Sequence, residues 1–157
     1  MSTYYVSSGV TSTGLNLNSD YMYVYSGGVA SSTSINEGGW MEVSSGGRAI
    51  STTLNSGLWI AVRVGATATD TKIFSAGAFF SGTMSRTSIR NGGSAFVKDG
   101  GKAFDNIVLS GGELFVDPGG TATRRTTCWS GSIRPACSAT TAAATRRSGS
   151  RWAAAST

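Results

Sequence analysis

The sequence predicts an all-β protein, a parallel right-handed β-solenoid that is followed by a disordered C-terminal tail. Two observations predict this class: a unit of about 19 residues repeats along most of the chain, and each unit contains two glycine-containing turns. A third is that apolar and β-branched residues alternate with polar ones between the turns, which is the period of a strand. No apolar run is long enough for a transmembrane helix.

The repeat consists of columns of like residues whose successive members lie 19 positions apart. The columns are Val24, Val43 and Val62; Gly27, Gly46 and Gly65; Thr33, Thr52 and Thr71; Ile35, Leu54 and Ile73; and the pair Trp40 and Trp59. The spacing then slips, because the steps from Ile73 to Ile89 and from Ile89 to Ile107 are both shorter. The full period returns between Gly92 and Gly111. So many columns at one spacing indicate repeated structural units.

Each unit is expected to run strand, turn, strand, turn, because it holds two Gly-containing turns. Glycine adopts positive φ without steric cost, so a Gly-Gly pair lets the chain reverse sharply. A two-stranded unit cannot bury its own apolar face, but stacked units bury a continuous core. About six rungs at a spacing of about 4.8 Å give a rod roughly 30 Å long. Parallel crossovers are nearly always right-handed, which sets the predicted hand of the coil.

Strand alternation predicts which side chains point inward and which outward. The expected inward pairs are Met41/Val43, Ile60/Val62, Ala95/Val97 and Leu114/Val116. The expected outward pairs are Trp40/Glu42, Trp59/Arg63, Phe96/Lys98 and Phe115/Asp117. The column of Thr33, Thr52 and Thr71 is expected to be a packing and hydrogen-bond ladder rather than a ligand site.

The outward pairs place one aromatic ring on each of four rungs, at Trp40, Trp59, Phe96 and Phe115. Two interpretations of this ladder stay open. Stacked rings can stabilise neighbouring rungs, or the rings can form an exposed stripe that binds sugars, partner chains or surfaces.

The phrases "YYVSSGVTSTGLNLNSD", "YSGGVASSTSINEGG" and "VSSGGRAISTTLNSG" resemble the AIDA-type autotransporter passenger repeat over roughly residues 3–122. The resemblance implies a β-helical adhesin at the bacterial cell surface or outer membrane, or secreted, that contributes to virulence. It implies adhesion to host-cell receptors or glycans, self-association between copies, and biofilm formation. Some members of that family carry heptose on loop serines, added by a dedicated cytoplasmic glycosyltransferase. The matching acceptor candidates are Ser26, Ser45, Ser56 and Ser110, although serine is also an ordinary turn former.

The chain divides into a repeat domain, residues 1–122, and an Arg/Ala/Ser/Thr-rich tail, residues 123–157. The repeat domain carries seven Lys and Arg against eight Asp and Glu, whereas the tail carries six Arg and no acid. One hypothesis is that the tail is frame-shifted; a gene in which no one-base shift restores Gly-Gly repeats beyond codon 123 would reject it. A basic tail for nucleic acid or anionic lipid is a weaker alternative, and no nucleic-acid partner is expected for the protein.

Two cysteines, Cys128 and Cys137, lie in the tail. An oxidising compartment would permit a disulfide between them that closes a small loop. The sequence holds no histidine and only this one cysteine pair, so a zinc site is not expected.

The sequence has few residues of the types that act in catalysis or bind metals. Without histidine there is no His-based triad, and the eight acids are scattered rather than paired for hydrolysis. We therefore expect no enzymatic activity, no cofactor and no metal. The leading hypothesis is a fragment of a surface adhesin passenger. The alternatives are an acceptor substrate for O-glycosylation and a non-functional truncated product. The chain begins without a signal peptide pattern and lacks a translocator, so export is expected only for the parent family.

Overall fold

The computed structural model describes residues 1–56, 59–123, 127–128 and 145–146, and side chains as far as Ala122. The strands in chain order are β1 (Thr3–Val6), β2 (Thr11–Thr13), β3 (Asn16–Leu17), β4 (Tyr21–Val24), β5 (Val29–Ser31), β6 (Ser34–Ile35), β7 (Trp40–Val43), β8 (Arg48–Ile50), β9 (Thr53–Leu54), β10 (Trp59–Val62), β11 (Thr67–Thr69), β12 (Lys72–Phe74), β13 (Gly77–Phe80), β14 (Thr83–Ser85), β15 (Ser88–Arg90), β16 (Ser94–Val97), β17 (Lys102–Phe104), β18 (Ile107–Val108), β19 (Glu113–Val116), β20 (Thr121–Thr123), β21 (Thr127–Cys128) and β22 (Thr145–Arg146).

The chain winds into a three-sided β-solenoid. The first sheet has the order β1-β4-β7-β10-β13-β16-β19, the second β2-β5-β8-β11-β14-β17-β20, and the third β3-β6-β9-β12-β15-β18-β21-β22. Each coil therefore contributes one strand to each sheet, and neighbouring strands pair in parallel. The predicted all-β solenoid is confirmed, and its right-handed sense stays a prediction from the crossover rule.

The predicted two-stranded unit is wrong, because each coil has three strands. The strands of the third sheet are only two or three residues long, as in β6 and β12. Such a strand has one inward side chain, for example Ile35, between polar neighbours. One inward residue shows no alternation, so the sequence pattern merges this strand with the turn beside it.

The length agrees with the prediction. Seven strands in the first sheet leave six inter-strand steps of about 4.8 Å, or about 29 Å along the axis. Beyond the repeat domain, β21 and β22 add to the third sheet by parallel pairing. Most of the tail, including Cys137, lies outside the described residues, so its disorder stays a prediction and the disulfide that an oxidising compartment would permit is untested.

The change of period has one real cause and one apparent one. Ile73 and Ile89 are true register partners in spite of their shorter spacing, because two corners are shorter in this coil. The corner between Phe80 and Thr83 holds only Ser81 and Gly82. The second slip is an error of alignment. Ile89 pairs with Val108, at the usual spacing, and Ile107 is 47 % exposed.

The interior is a narrow apolar column that runs the length of the described coils. All eight predicted inward residues are buried: Met41, Val43, Ile60, Val62, Ala95, Val97, Leu114 and Val116. The second sheet supplies a column of five alanines and one methionine, Ala30, Ala49, Ala68, Met84, Ala103 and Ala122. The third sheet supplies Leu17, Ile35, Leu54, Ile73, Ile89 and Val108. Each coil thus buries its side chains against those of the coils above and below.

The threonine column is buried as expected, but it is not a hydrogen-bond ladder. Thr33, Thr52, Thr71 and Thr87 are each at most 1 % exposed, and their hydroxyl oxygens have no hydrogen-bond partner. The role of this column is packing beside the corner between the second and third sheets. A hydrogen-bonded ladder forms instead at the next corner. There the Asn36 side chain donates to the Asn18 side chain and Asn55 donates to Asn36, both at 2.9 Å.

Each glycine of a Gly-Gly pair has a different task. In the corner Tyr25–Gly28, the Gly28 N–H donates to the Tyr25 carbonyl at 2.9 Å, and Gly27 has φ +73°. Positive φ at the third position is the requirement of a type II turn. Gly28 instead lies so close to the preceding coil that a Cβ would collide with the Val6 carbonyl oxygen. The first glycine therefore permits the turn and the second permits the stacking.

Other residues occupy the fourth position at some corners of the solenoid. Val10 occupies the position of Gly28, and Asp20 occupies the position of Gly39. Ala66 occupies the position of Gly28 in the fourth coil, so a methyl group can be accommodated at this position inside the stack.

We expect Gly28→Ala to lower the free energy of unfolding by about 2–3 kcal/mol, because two coils must separate to admit the methyl group. Val10→Ala, at the equivalent position of the first coil, should change it by no more than about 0.5 kcal/mol. Urea unfolding followed by circular dichroism measures both. Equal effects of the two substitutions would contradict the stacking role of the second glycine.

Candidate adhesive face and acceptor turns

The outer face of the first sheet carries the predicted aromatic residues in two columns rather than one ladder. Trp40 and Trp59 are register partners at the first position of their strands. Phe96 and Phe115 are register partners at the third position. Both positions point outward, so alternation alone could not separate them. The prediction of a single four-residue ladder is therefore wrong, although all four rings lie on the same face.

The third-position column contains a continuous stack of three phenylalanines. Phe79 and Phe96 have ring centroids 5.2 Å apart and planes 18° from parallel, and Phe96 and Phe115 are 4.9 Å apart and 11° from parallel. Phe96, the inner ring, therefore has both of its faces covered by its neighbours. All three side chains are half-buried. This geometry favours a stabilising role for Phe96, because a sugar that stacks on an aromatic ring needs an open face.

Phe79 was missed by sequence reasoning, because it belongs to the shortened coil. Phe79 and its register partner Phe96 are separated in the sequence by fewer residues than the repeat period. No column of the regular repeat therefore includes Phe79. The signal that could have found it is the doubled aromatic "FF" at residues 79–80. One ring of this pair is buried and the other lies on the surface.

Trp59 is the most accessible of the four predicted rings, with 44 % of the residue exposed. It contacts Phe79 edge to face at a centroid distance of 5.6 Å. Trp40 is half-buried and lies edge to face against Tyr21 and Tyr23 at 5.7 and 5.2 Å. Trp59 therefore presents open indole surface, whereas Trp40 mainly packs.

A second group of rings lies at the start of the solenoid. Tyr5, Tyr23 and Tyr25 are nearly parallel, with centroids 5.7–6.4 Å apart. Tyr5 is 62 % exposed and Tyr25 is 42 % exposed. The available signal was composition, because all five tyrosines of the chain lie between residues 4 and 25.

Ion pairs border the aromatic columns. Arg63 donates two hydrogen bonds to the Glu42 carboxylate, at 3.0 and 3.2 Å, and this contact raises the pKa of the Arg63 guanidinium. Lys98 bonds to Asp117 at 2.8 Å and lies 5.4 Å from the centre of the Phe96 ring. These pairs place fixed charges of both signs beside the rings, while exposed pairs of this kind add little stability.

The predicted acceptor serines lie at two different edges of the solenoid. Ser26 and Ser45 occupy the second position of type II turns between the first and second sheets. Ser110 occupies the same position between the third and first sheets. All three are exposed. Ser56 is also exposed, and the two residues after it lie outside the described part of the chain.

Ser26 and Ser45 each lie against the first glycine of the next coil. A Cβ built on Gly46 would lie 2.5 Å from the Ser26 hydroxyl, and one on Gly65 would lie 2.5 Å from that of Ser45. Ser8 has the same relation to Gly27, at 2.6 Å. The three hydroxyls therefore form a row along one edge, and a Cβ on the first glycine of the next coil would displace the serine hydroxyl.

Within the described residues, no three His, Cys, Asp or Glu side chains are grouped closely enough to hold a metal ion. The same part of the chain contains no helix that is long and apolar enough to cross a lipid bilayer.

The fold and the repeat define a class: a three-sided parallel β-solenoid with a repeat of about 19 residues and with Gly-Gly corners. Among solved structures, the chain is similar to the fragment of TibA that spans residues 55–350 and was hyper-glycosylated by TibC. The match has a TM-score of 0.57 and 32 % sequence identity over 83 % of this chain. The chain spans 58 % of that fragment. No family model matches the sequence, and no curated protein matches it.

A double-mutant cycle on Phe96 and Phe115 should give a coupling energy of about 0.5–1.5 kcal/mol, because the rings are stacked. The cycle on Phe79 and Phe115, two rungs apart, should give a coupling near zero and serves as the control. Both use alanine variants and urea unfolding. A Phe96/Phe115 coupling no larger than that of the control would show that the stack does not stabilise the solenoid.

Proposed function

We propose that this chain is an adhesive repeat segment of a bacterial surface protein of the autotransporter passenger type. The observation that carries the proposal is the fold and sequence likeness to the TibA fragment over most of the chain. The AIDA-type resemblance of the repeats points in the same direction. The proposed partners are host-cell surface receptors or glycans and other copies of the protein.

The mechanism is multivalent contact along a rigid rod. The solenoid presents its outward residues at a fixed spacing of about 4.8 Å per coil. Weak contacts from successive coils add through effective concentration, so no single deep pocket is needed. Trp59 and the exposed tyrosines provide the open aromatic surface. The stacked phenylalanines stabilise the sheet that carries it. The proposed function is non-enzymatic, since contact surface rather than a catalytic group performs it.

Replacing Trp40, Trp59, Phe96 and Phe115 together by serine should reduce binding of the displayed chain to cultured host cells by at least about tenfold. The matched control is Ile50→Ser with Phe104→Ser, two half-buried outward residues of the second sheet. Circular dichroism and thermal unfolding establish that each variant is folded. Unchanged binding by a folded quadruple variant would assign the four rings a purely structural role.

A second candidate function is that of an acceptor for O-glycosylation by a dedicated glycosyltransferase. The supporting observations are that the TibA fragment is hyper-glycosylated by TibC, and that Ser26, Ser45 and Ser110 lie exposed on tight turns. The heptose implied by the family resemblance is the proposed sugar.

Co-expression with a glycosyltransferase of that type should add sugar-sized increments to the intact mass. Ser26→Ala and Ser45→Ala should each remove one increment. Ser31→Ala is the matched control, because this serine lies within β5 rather than on a turn. A mass that equals that of the unmodified chain would reject the acceptor role, as would increments that persist in all the turn variants.

A further inference from the structure

We propose that the shortened corner at residues 81–82, between the first and second sheets, forms a recess that binds the acetamido group of a neutral N-acetylated sugar. This inference deepens the proposed contact with glycans and rests on that function. The corner has only two residues, whereas the corners of the coils below and above it have four, residues 63–66 and 98–101. The edge of the solenoid is therefore indented at this coil.

The surroundings of Gly100 show that the indentation is open. A Cβ built on Gly65 would lie 2.5 Å from the Ser45 hydroxyl of the corner below, and one built on Gly119 would collide with the Asp99 carboxylate. Gly100 has the same place in the corner directly above the short one, and a Cβ built on it meets no atom within 4 Å. The short corner therefore leaves free space below Gly100.

The short corner also interrupts a row of backbone hydrogen bonds. At regular corners of this edge, the N–H of the first glycine donates to the carbonyl of the first glycine in the next coil. Gly46 donates to Gly65 at 3.0 Å, and Gly100 donates to Gly119 at 3.1 Å. Between these bonds, the Gly65 N–H has no acceptor and the Gly100 carbonyl has no donor among the described residues. A donor and an acceptor therefore face each other across the recess.

The distance between these two groups fits one amide. In a regular row, a carbonyl oxygen lies about 8 Å above the N–H nitrogen two coils below it. Two hydrogen bonds of about 2.9 Å, with about 2.3 Å between the oxygen and nitrogen of one amide, cover that distance. The C=O and N–H of a trans amide point in opposite directions. One amide can therefore accept from Gly65 and donate to Gly100.

Val64 gives the recess an apolar floor. It has the position in its turn that Ser45 has in the coil below, where the hydroxyl lies against the next corner. Val64 is 66 % exposed, because the short corner does not cover it. A methyl group on the carbonyl carbon of the amide can pack against this side chain. Methyl, carbonyl and N–H together are the acetamido group.

The shape and charge of the recess favour a neutral sugar as the carrier of this group. The recess is one corner deep and is bounded by residues 63–66 and 98–101, so it admits a terminal group rather than a peptide that continues in both directions. Asp99 is exposed in the upper corner, while Arg63 and Lys98 are each bonded to a carboxylate. The unpaired charge beside the recess is thus negative and disfavours N-acetylated sugars that carry a carboxylate.

The test is an amide NMR titration of the isotope-labelled intact chain with N-acetylglucosamine. Glucose, which has a hydroxyl in place of the acetamido group, is the control ligand. N-acetylglucosamine should shift the Gly65 amide resonance with saturation, and glucose should not. Val64→Lys should weaken the binding by at least about tenfold. Ile107→Lys is the matched control, because Ile107 is also an exposed apolar residue but lies in the third sheet. It should leave the affinity unchanged.

A second variant fills the recess with the chain itself. Insertion of Ser-Gly between Ser81 and Gly82 gives this corner the regular four residues, and the added residues should bond to Gly65 and Gly100. The variant should lose the sugar, and circular dichroism shows whether it is folded. If it does not fold, Val64→Lys decides.

Each other outcome overturns the inference. An unshifted Gly65 resonance means that the recess binds no such sugar, and equal shifts with glucose mean that the amide is not recognised. Tighter binding of N-acetylglycine methylamide than of N-acetylglucosamine assigns the recess to a peptide. Unchanged affinity in folded Val64→Lys or in the folded insertion variant places the sugar elsewhere.

Failure of this inference and failure of the adhesive function are distinguishable, because the titration uses no cells. A chain that binds host cells through the four rings but leaves Gly65 unshifted contradicts only the recess. A chain that binds N-acetylglucosamine at Gly65 but does not bind host cells contradicts only the adhesive function.

Discussion

The close approach of parallel backbones from one coil to the next is the constraint on which the rest of the structure depends. Each residue lies about 4.8 Å above its counterpart in the coil below. Residues of the same kind therefore stack in several columns: apolar residues in the interior, amides at the Asn18–Asn55 corner, and phenylalanines on the outer face. At Gly-Gly corners such as Tyr25–Gly28 the same spacing leaves no room for a Cβ on the second glycine. The regular repeat records this stacking in the sequence.

The solenoid class, the interior residues and the exposed turns could be predicted, because they depend on period and alternation alone. The third strand of each coil could not, since two or three residues with one inward side chain leave no alternation to detect. The split of the aromatic residues into two columns could not either. The first and third positions of a strand both face outward, and only the register shows that Trp59 lies over Trp40 while Phe115 lies over Phe96.

The shortened coil limited prediction in a second way. Two corners of this coil are shorter, so Phe79 does not fall in the 19-residue columns of the sequence. In the structure it still stacks on Phe96. Sequence spacing therefore breaks where physical adjacency does not. In the next coil Ile107 also looked like a column member, although its side chain is exposed and Val108 fills the interior. In this fold the position of a residue within its strand is a better guide than its distance from the last similar residue.

On the aromatic face, the orientation of each ring shows whether it packs against other rings or leaves a surface open to a partner. The phenylalanines cover one another's faces, so much of their apolar area is already buried in contacts between coils. Trp59 and Tyr5 keep a larger open area. A partner would meet isolated ring surfaces between ion pairs and not an unbroken apolar stripe. Contact of this kind is weak at each coil and depends on how many coils engage together.

The direction of the backbone hydrogen bonds sets how the rod responds to force. Bonds between parallel strands are slanted, but they run from one coil to the next and hence mainly along the solenoid axis. A pull along the axis puts the same load on the bonds between every pair of neighbouring coils, and each coil is held only by its neighbours. A rod anchored at one end and attached at the other would therefore lengthen by releasing successive coils, and would give way gradually under load.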